Sequence, residues 1–274
     1  MLAKPVNERN AIEAAGFSVT FDRDFNSAEL DRLLGLEAAL KADLPIFTKI
    51  QKVEFTIDQS GMSRGQTDFS GVQLQQLKSQ GGLNQVSWVM KVDEQSIQIT
   101  CGNYTRWHEV SRKVFQLLTT AIGFLDADSL RVVGIASQVR DKFVYANEPS
   151  DYALSDVFNL NSDFLTRNTA GAGALWHLHQ GWFGTCAALS NARALNVLNI
   201  GSARFGSQLT AMIDHSVQST LIASIAAREA FVAEPDSSVV YRTYCEFHEL
   251  NKSILSQLLA PQQLRAIGME DSRA

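Results

Sequence analysis

Residues 104–110 read YTRWHEV and residues 244–250 read YCEFHEL, so the chain uses Tyr-x-x-(Trp/Phe)-His-Glu-(Val/Leu) twice. Before each copy stands a residue able to cap a helix N-terminus through a side-chain oxygen, Asn103 or Thr243, and Glu246 completes a capping box with Thr243. Downstream, Trp107, Val110, Val114 and Leu118 match Phe247, Leu250, Ile254 and Leu258 at i, i+3, i+7 and i+11, one face of an amphipathic helix. The spacing predicts equivalent helices over 103–120 and 243–260. Neither copy has a second histidine four residues on, so the two-ligand face of a zinc-protease helix is missing. His108 and His248 are expected to pack or hydrogen-bond, and Glu109 and Glu249 to favour the positive end of the helix dipole.

Working outward, Phe17, Val19 and Phe21 alternate in a strand over 11–22, and Asn26 with Glu29 opens a helix that Pro45 ends. A second strand is expected at 49–57. Residues 58–84 are rich in Gln, Ser and Gly and read as a long mobile loop. The runs VSWVMKV and SIQIT, separated by Asp93-Glu94-Gln95, form a hairpin that leads into the first repeated helix. LRVVGIASQVRDKFVY at 130–145 reads as a long strand, and ALWHLHQGWF as another. ARALNVLNI and QLTAMID make a candidate strand pair, and the periodicity of STLIASIAAREAFVA fits helix and strand equally. The pattern predicts an α+β protein of two similar lobes, 1–148 and 149–274, each a small antiparallel sheet backed by an amphipathic helix and packed as one compact unit.

The chain has 274 residues, 45% of them hydrophobic and 19% charged, which suffices for one continuous core. Its formal charge of −5 disfavours, without excluding, a protein built to hold a phosphate backbone. Three widely spaced cysteines, Cys101, Cys186 and Cys245, give neither a disulfide framework nor a paired thiolate metal site. With no signal-peptide core and no long apolar run, a cytoplasmic protein away from membranes is expected.

Several short motifs carry residue types suited to chemistry. GMSRG at 61–65 matches a nucleophile elbow around Ser63, but it opens a polar stretch rather than joining a strand to a packed helix. GAGA at 171–174 lacks the Lys-Ser/Thr ending of a phosphate loop. On a strand His177 and His179 share one face, and with Asp214 and His215 they form a metal-ligand set for an alternative reading as a metal-dependent hydrolase or nuclease. Arg106, Trp107, Arg140, Arg167 and Trp176 are the candidate ligand-binding residues, pairing aromatic stacking with positive charge, and a nucleic acid or nucleotide is one ligand they could hold.

The opening F-x-V-x-F strand, the N-Y-T-R-W turn, the strand RVVGIASQVRDKFVY and the closing F-H-E-L-N-K-S-I-L helix together resemble a sporadically distributed bacterial family of unknown function. The strand at 130–145 lacks the Asn expected near its end in that family. Such proteins tend to be encoded beside defence or toxin-antitoxin genes, so the resemblance implies accessory work, antiviral defence or toxin-antitoxin related, and no catalytic residue. The combined expectation is a non-enzymatic binding or regulatory component with no cofactor. Its partners would be another protein of the same gene cassette and a second copy of itself, meeting through the strand ALWHLHQGWF or the surface beside it.

Overall fold

The computed structural model describes residues 3–7, 10–58, 61–80, 82–145 and 152–269. One antiparallel sheet runs through them. Its strands are β1 (Lys4–Pro5), β2 (Ile12–Phe21), β3 (Ile46–Asp58), β4 (Gly61–Gln80), β5 (Leu83–Asp93), β6 (Ser96–Cys101), β7 (Arg131–Val144), β8 (Trp176–Cys186), β9 (Ala192–Phe205) and β10 (Gln208–Ala226). The spatial order is β3-β4-β5-β6-β2-β7-β10-β9-β8, with β1 paired to β7. The helices are α1 (Ser27–Leu33), α2 (Leu36–Ala39), α3 (Trp107–Ile122), α4 (Ala227–Ala230), α5 (Val239–Leu258) and α6 (Pro261–Ala266).

This corrects the two-lobed expectation. The halves do share a connectivity: an opening strand, helical or 3-10 turns, a meander whose last strand returns to the opening strand, then a long helix. β6 returns to β2 and β10 returns to β7. The two opening strands then pair with each other, with Phe17 opposite Ser137 and Ser18 opposite Ala136. That pairing fuses the two meanders into one sheet instead of leaving each with its own. The expected boundary at 148/149 lies outside the described residues.

Alternation explains the layering. Ala15, Phe17, Val19 and Phe21 of β2, Ile97, Ile99 and Cys101 of β6, and Val217 of β10 are buried on one face. Both α3 and α5 cover that same face, through Val110, Val114, Leu117 and Leu118 and through Tyr244, Phe247, Ile254 and Leu258. Each such leucine or phenylalanine contributes about 1.5–3 kcal/mol on burial. Tyr241 lies 3.3 Å from Ser111 Oγ and edge-on to Phe115, while His248 stacks on Trp107, so the contacts descend α5 as they climb α3 and the helices run antiparallel. The opposite face is polar and carries no helix among the described residues, with Gln98, Thr100, Ser18, Gln138 and Gln218 on adjacent strands.

Four local expectations change. The stretch expected as a loop, 58–84, holds β4, twenty residues long, paired with β3 from Ile46–Gln75 to Asp58–Gly61 with two register shifts. Ser63 therefore sits in a ribbon strand and not at a strand-to-helix elbow, and its side chain lies outside the described residues. Helix α3 starts later than expected, at Trp107 after Arg106, and Asn103 accepts from Lys78 Nζ at 3.1 Å instead of capping it. Helix α5 starts earlier, capped by Ser238, so Thr243 is internal and bonds Val239 O; Glu246 instead accepts from the backbone N–H groups of Ala187 and Ala188. The ambiguous STLIASIA run is strand, the end of β10.

Glu29 is fully buried at the first turn of α1 and ties its own segment, from Arg23 to α1, to Asp126, far away in sequence. Its carboxylate accepts from both terminal nitrogens of Arg23 (2.8 and 3.0 Å), from Asn26 N (2.8 Å) and from Asp126 N (3.1 Å). Burial opposes ionisation there, but the Arg23 bonds and the two backbone donors hold the pKa below the ordinary carboxylate value. Glu29→Ala should cost about 3 kcal/mol, because Arg23 and two amides lose their buried acceptor. A urea-midpoint shift equivalent to under 1 kcal/mol would contradict that role.

Candidate functional site

At one end of the helix layer, where the sheet continues past the start of α3, a cleft of about 740 Å³ opens. Tyr104, Arg106 and Trp107 line it from the α3 entry, His248, Asn251 and Lys252 from α5, Arg265 to Met269 from α6 and the turn after it, and Asp141 from β7. Its floor is decided by strand parity. On β7 the side chains of Ile135, Ser137, Asp141 and Phe143 are buried, so Asp141 occupies a core position. It lies opposite Ile12 of β2 and Ile213 of β10, beside a register shift between Ile12 and Ala14.

Asp141 is 2% exposed and its Oδ2 has no hydrogen-bond partner among the described residues. Burial, and secondarily the charge of Asp214, pushes its pKa up to about 7. Around it stand groups that are neutral at neutral pH. Burial lowers His248 to about 4, and its ring stacks on Trp107 with centroids 4.2 Å apart and planes 6° off parallel. Burial also raises the Tyr104 hydroxyl above its ordinary value. Asn251 is fixed from behind by buried His215, whose Nδ1 lies 3.1 Å from Asn251 Oδ1 and whose Nε2 lies 3.2 Å from Asn196 Oδ1. Burial depresses the His215 pKa, and a neutral ring donates from only one nitrogen, so one of the two asparagines presents its NH₂ to the other. At the mouth Arg106 and Arg265 are exposed, and Lys252 is paired with Glu249 at 3.0 Å.

The two copies of the repeated motif therefore meet here, Trp107 of the first against His248 of the second. Of the candidate ligand-binding residues, Arg106 and Trp107 border the cleft. Arg140 and Trp176 border a different hollow of about 540 Å³ at the polar sheet face, together with His177 and Asp214. Arg167 lines neither hollow and is exposed in the segment before β8. The charges in the second hollow are already paired, Arg140 with Asp214 at 2.9 Å and Lys142 with Glu13 at 2.8 Å. That contrast singles out the Asp141 cleft, whose carboxyl has no cation partner among the described residues.

The proposed metal set does not converge. His177, His179 and Asp214 lie on the polar face, whereas His215 has the opposite parity on β10 and is buried against α5. Asp214 is occupied by Gln138 and Arg140, and His179 bonds Asn199. Among the described residues no three His, Cys, Asp or Glu side chains group so as to hold a metal ion. The three cysteines are free. No helix of the described residues is long and apolar enough to cross a membrane. No protein-family model matches the chain, and no curated protein matches it.

Asp141 was missed by the sequence reading, yet it left a signal: in IASQVRDKF it shares the parity of Ile135, Ser137, Val139 and Phe143. A charge on the core parity of a strand is a buried charge.

Its raised pKa has a sign that can be checked. The unfolded chain ionises Asp141 near pH 4 and the folded chain only near pH 7, so this group's contribution to stability is lost as pH rises between the two. Asp141→Asn should therefore be more stable than the parent at pH 8, by up to roughly 4 kcal/mol, with the difference closing towards pH 4. His215 and His248 act with the opposite sign, losing stability as pH falls below about 6.5, but they are common to both proteins and cancel in the difference. Urea midpoints from pH 4 to 8 measure this. A variant no more stable than the parent at pH 8 would contradict a buried, unpartnered carboxylate.

Proposed function

We propose that this protein is a non-enzymatic binding component that takes up a small molecule in the Asp141 cleft. The single observation carrying the reading is the buried carboxyl oxygen without a partner among the described residues, on a residue that lines a cleft large enough for a ligand. An unsatisfied buried acceptor costs about 1–3 kcal/mol, and a site that tolerates it gains when a ligand donor fills it. The cleft supports binding rather than catalysis: its ionisable groups include no nucleophile hydrogen-bonded to a base. The bacterial accessory setting, defence or toxin-antitoxin related, with a partner from the same gene cassette, rests on the family resemblance alone. The test is a ¹H–¹⁵N spectrum titrated with a desalted bacterial metabolite extract. Signals of Trp107, His248 and Asn251 should move in the parent and stay in place in Asp141→Asn. Shifts confined to other regions, or none, would count against the cleft as the working site.

A specific observation also favours a homodimer. β3, at one edge of the sheet, is broken by two register shifts and carries exposed Lys49 and Lys52, devices that discourage pairing. β8, at the other edge, has eleven residues in unbroken register with β9 and no Lys, Arg, Asp, Glu or Pro. Phe183 on it is 66% exposed, and among the described residues no backbone hydrogen bond reaches its outer side. Antiparallel pairing of β8 with β8 of a second copy would satisfy that edge in a closed two-fold assembly. Light scattering at micromolar concentration should give twice the chain mass for the parent and one chain mass for Phe183→Lys, with the far-UV spectrum unchanged. A single-chain mass for the parent would reject the dimer.

A further inference from the structure

We infer that the molecule held by the cleft is a zwitterion of the amino-acid type, entering with a protonated amine, amidine or guanidinium directed at Asp141 and leaving an acidic group at the mouth. The inference rests on the cleft being a ligand site and adds its chemical class. Three features of the geometry converge on it.

The buried end presents a carboxyl group and, among the described residues, no cation paired with it. Asp141 makes no ion pair with a described Lys, Arg or His, and His248 is uncharged at neutral pH. A protonated nitrogen would donate to the free Oδ2 and supply the missing charge, whereas a second anion would be driven out of a region from which water is largely excluded. The walls are aromatic. Trp107 and Tyr104 line the same cleft as the Asp141 carboxyl, a combination of aromatic rings and acid that can hold organic cations. The mouth reverses the sign: Arg106 and Arg265 are exposed there. A ligand carrying charge only at its head would leave those cations unused, and a simple anion would leave the floor unsatisfied.

Isothermal titration with three probes separates the outcomes. L-arginine has both ends, agmatine has the guanidinium without the carboxylate, and glutarate has only acidic groups. L-arginine should bind tightest, agmatine more weakly, and glutarate not measurably. In Asp141→Asn, whose fold is verified by circular dichroism, arginine and agmatine should both lose affinity by about tenfold or more, the worth of a charge-assisted hydrogen bond. In Arg106→Ala/Arg265→Ala arginine should fall to the level of agmatine while agmatine is unchanged, a split that a merely structural defect would not give. If only glutarate binds, or if the guanidinium probes bind Asp141→Asn as well as they bind the parent, the ligand class is wrong. If none of the three titrates, the class is likewise overturned. The spectra with metabolite extract then show whether the cleft itself still binds: movement at Trp107 and His248 keeps the site with another ligand, and no movement rejects both.

Discussion

The backbone pairing of β2 with β7 is the interaction on which the rest depends. Each half of the chain folds its last strand back on its first, which closes neither meander and leaves each opening strand with one free edge. Pairing those edges antiparallel satisfies both rows of backbone groups at once. It also sets the direction of everything that follows. Because the opening strands are antiparallel, the helices that end the two halves reach the same face from opposite directions, and α3 lies against α5. Their contact brings Trp107 to His248 and leaves the polar sheet face to solvent among the described residues.

The same pairing explains why a carboxylate can stand in the core. Asp141 lies where the β2–β7 register slips, close to the end of β7, and where the helix layer gives way to Tyr104 and the turn after α6. Inside the layer its burial would demand a cation. At the margin, burial raises the pKa to about 7, so the carboxyl takes up a proton far more readily than a solvated aspartate until something donates to it. Register shifts of this kind recur beside functional sites because they re-aim a side chain without dissolving the sheet. Glu29 shows the contrasting solution: equally buried, it is met by four donors and stays ionised.

What could be read in the sequence follows from which residues alternate cleanly. β2, the β5–β6 hairpin and β7 are visible as apolar alternation, and parity puts His177 and His179 of β8 on one face, while only the structure shows that the opposite face, with Trp176 and Trp182, is the core side. β4 was not visible because Val72 and Leu74, its buried large apolar side chains among the described residues, stand amid Gln, Ser and Gly. The helix stripes were right and the helix starts wrong, since the duplicated residues describe the packed faces while α5 begins eight residues before its Phe247, at Val239. The two-lobe picture failed for a reason no local pattern carries: whether repeated units keep separate sheets or share one depends on strands 120 residues apart, such as Phe17 and Ser137. Of the site, Arg106 and Trp107 were recognisable as a cation next to an aromatic. His248 needed the second helix in place, and Asp141 needed its parity to be taken as seriously as that of the apolar residues beside it.

The central claim is that Asp141 is a buried carboxyl whose Oδ2 has no partner among the described residues. Its direct measure is the ¹³Cγ chemical shift of Asp141 followed from pH 3 to 9, with Asp141→Asn fixing the assignment. The account predicts a midpoint about three pH units above that of a solvated aspartate, close to 7, moving down when a cation-headed ligand is bound. A midpoint near 4 in the free protein would show that the carboxylate is already solvated or paired, and would remove the basis for the site.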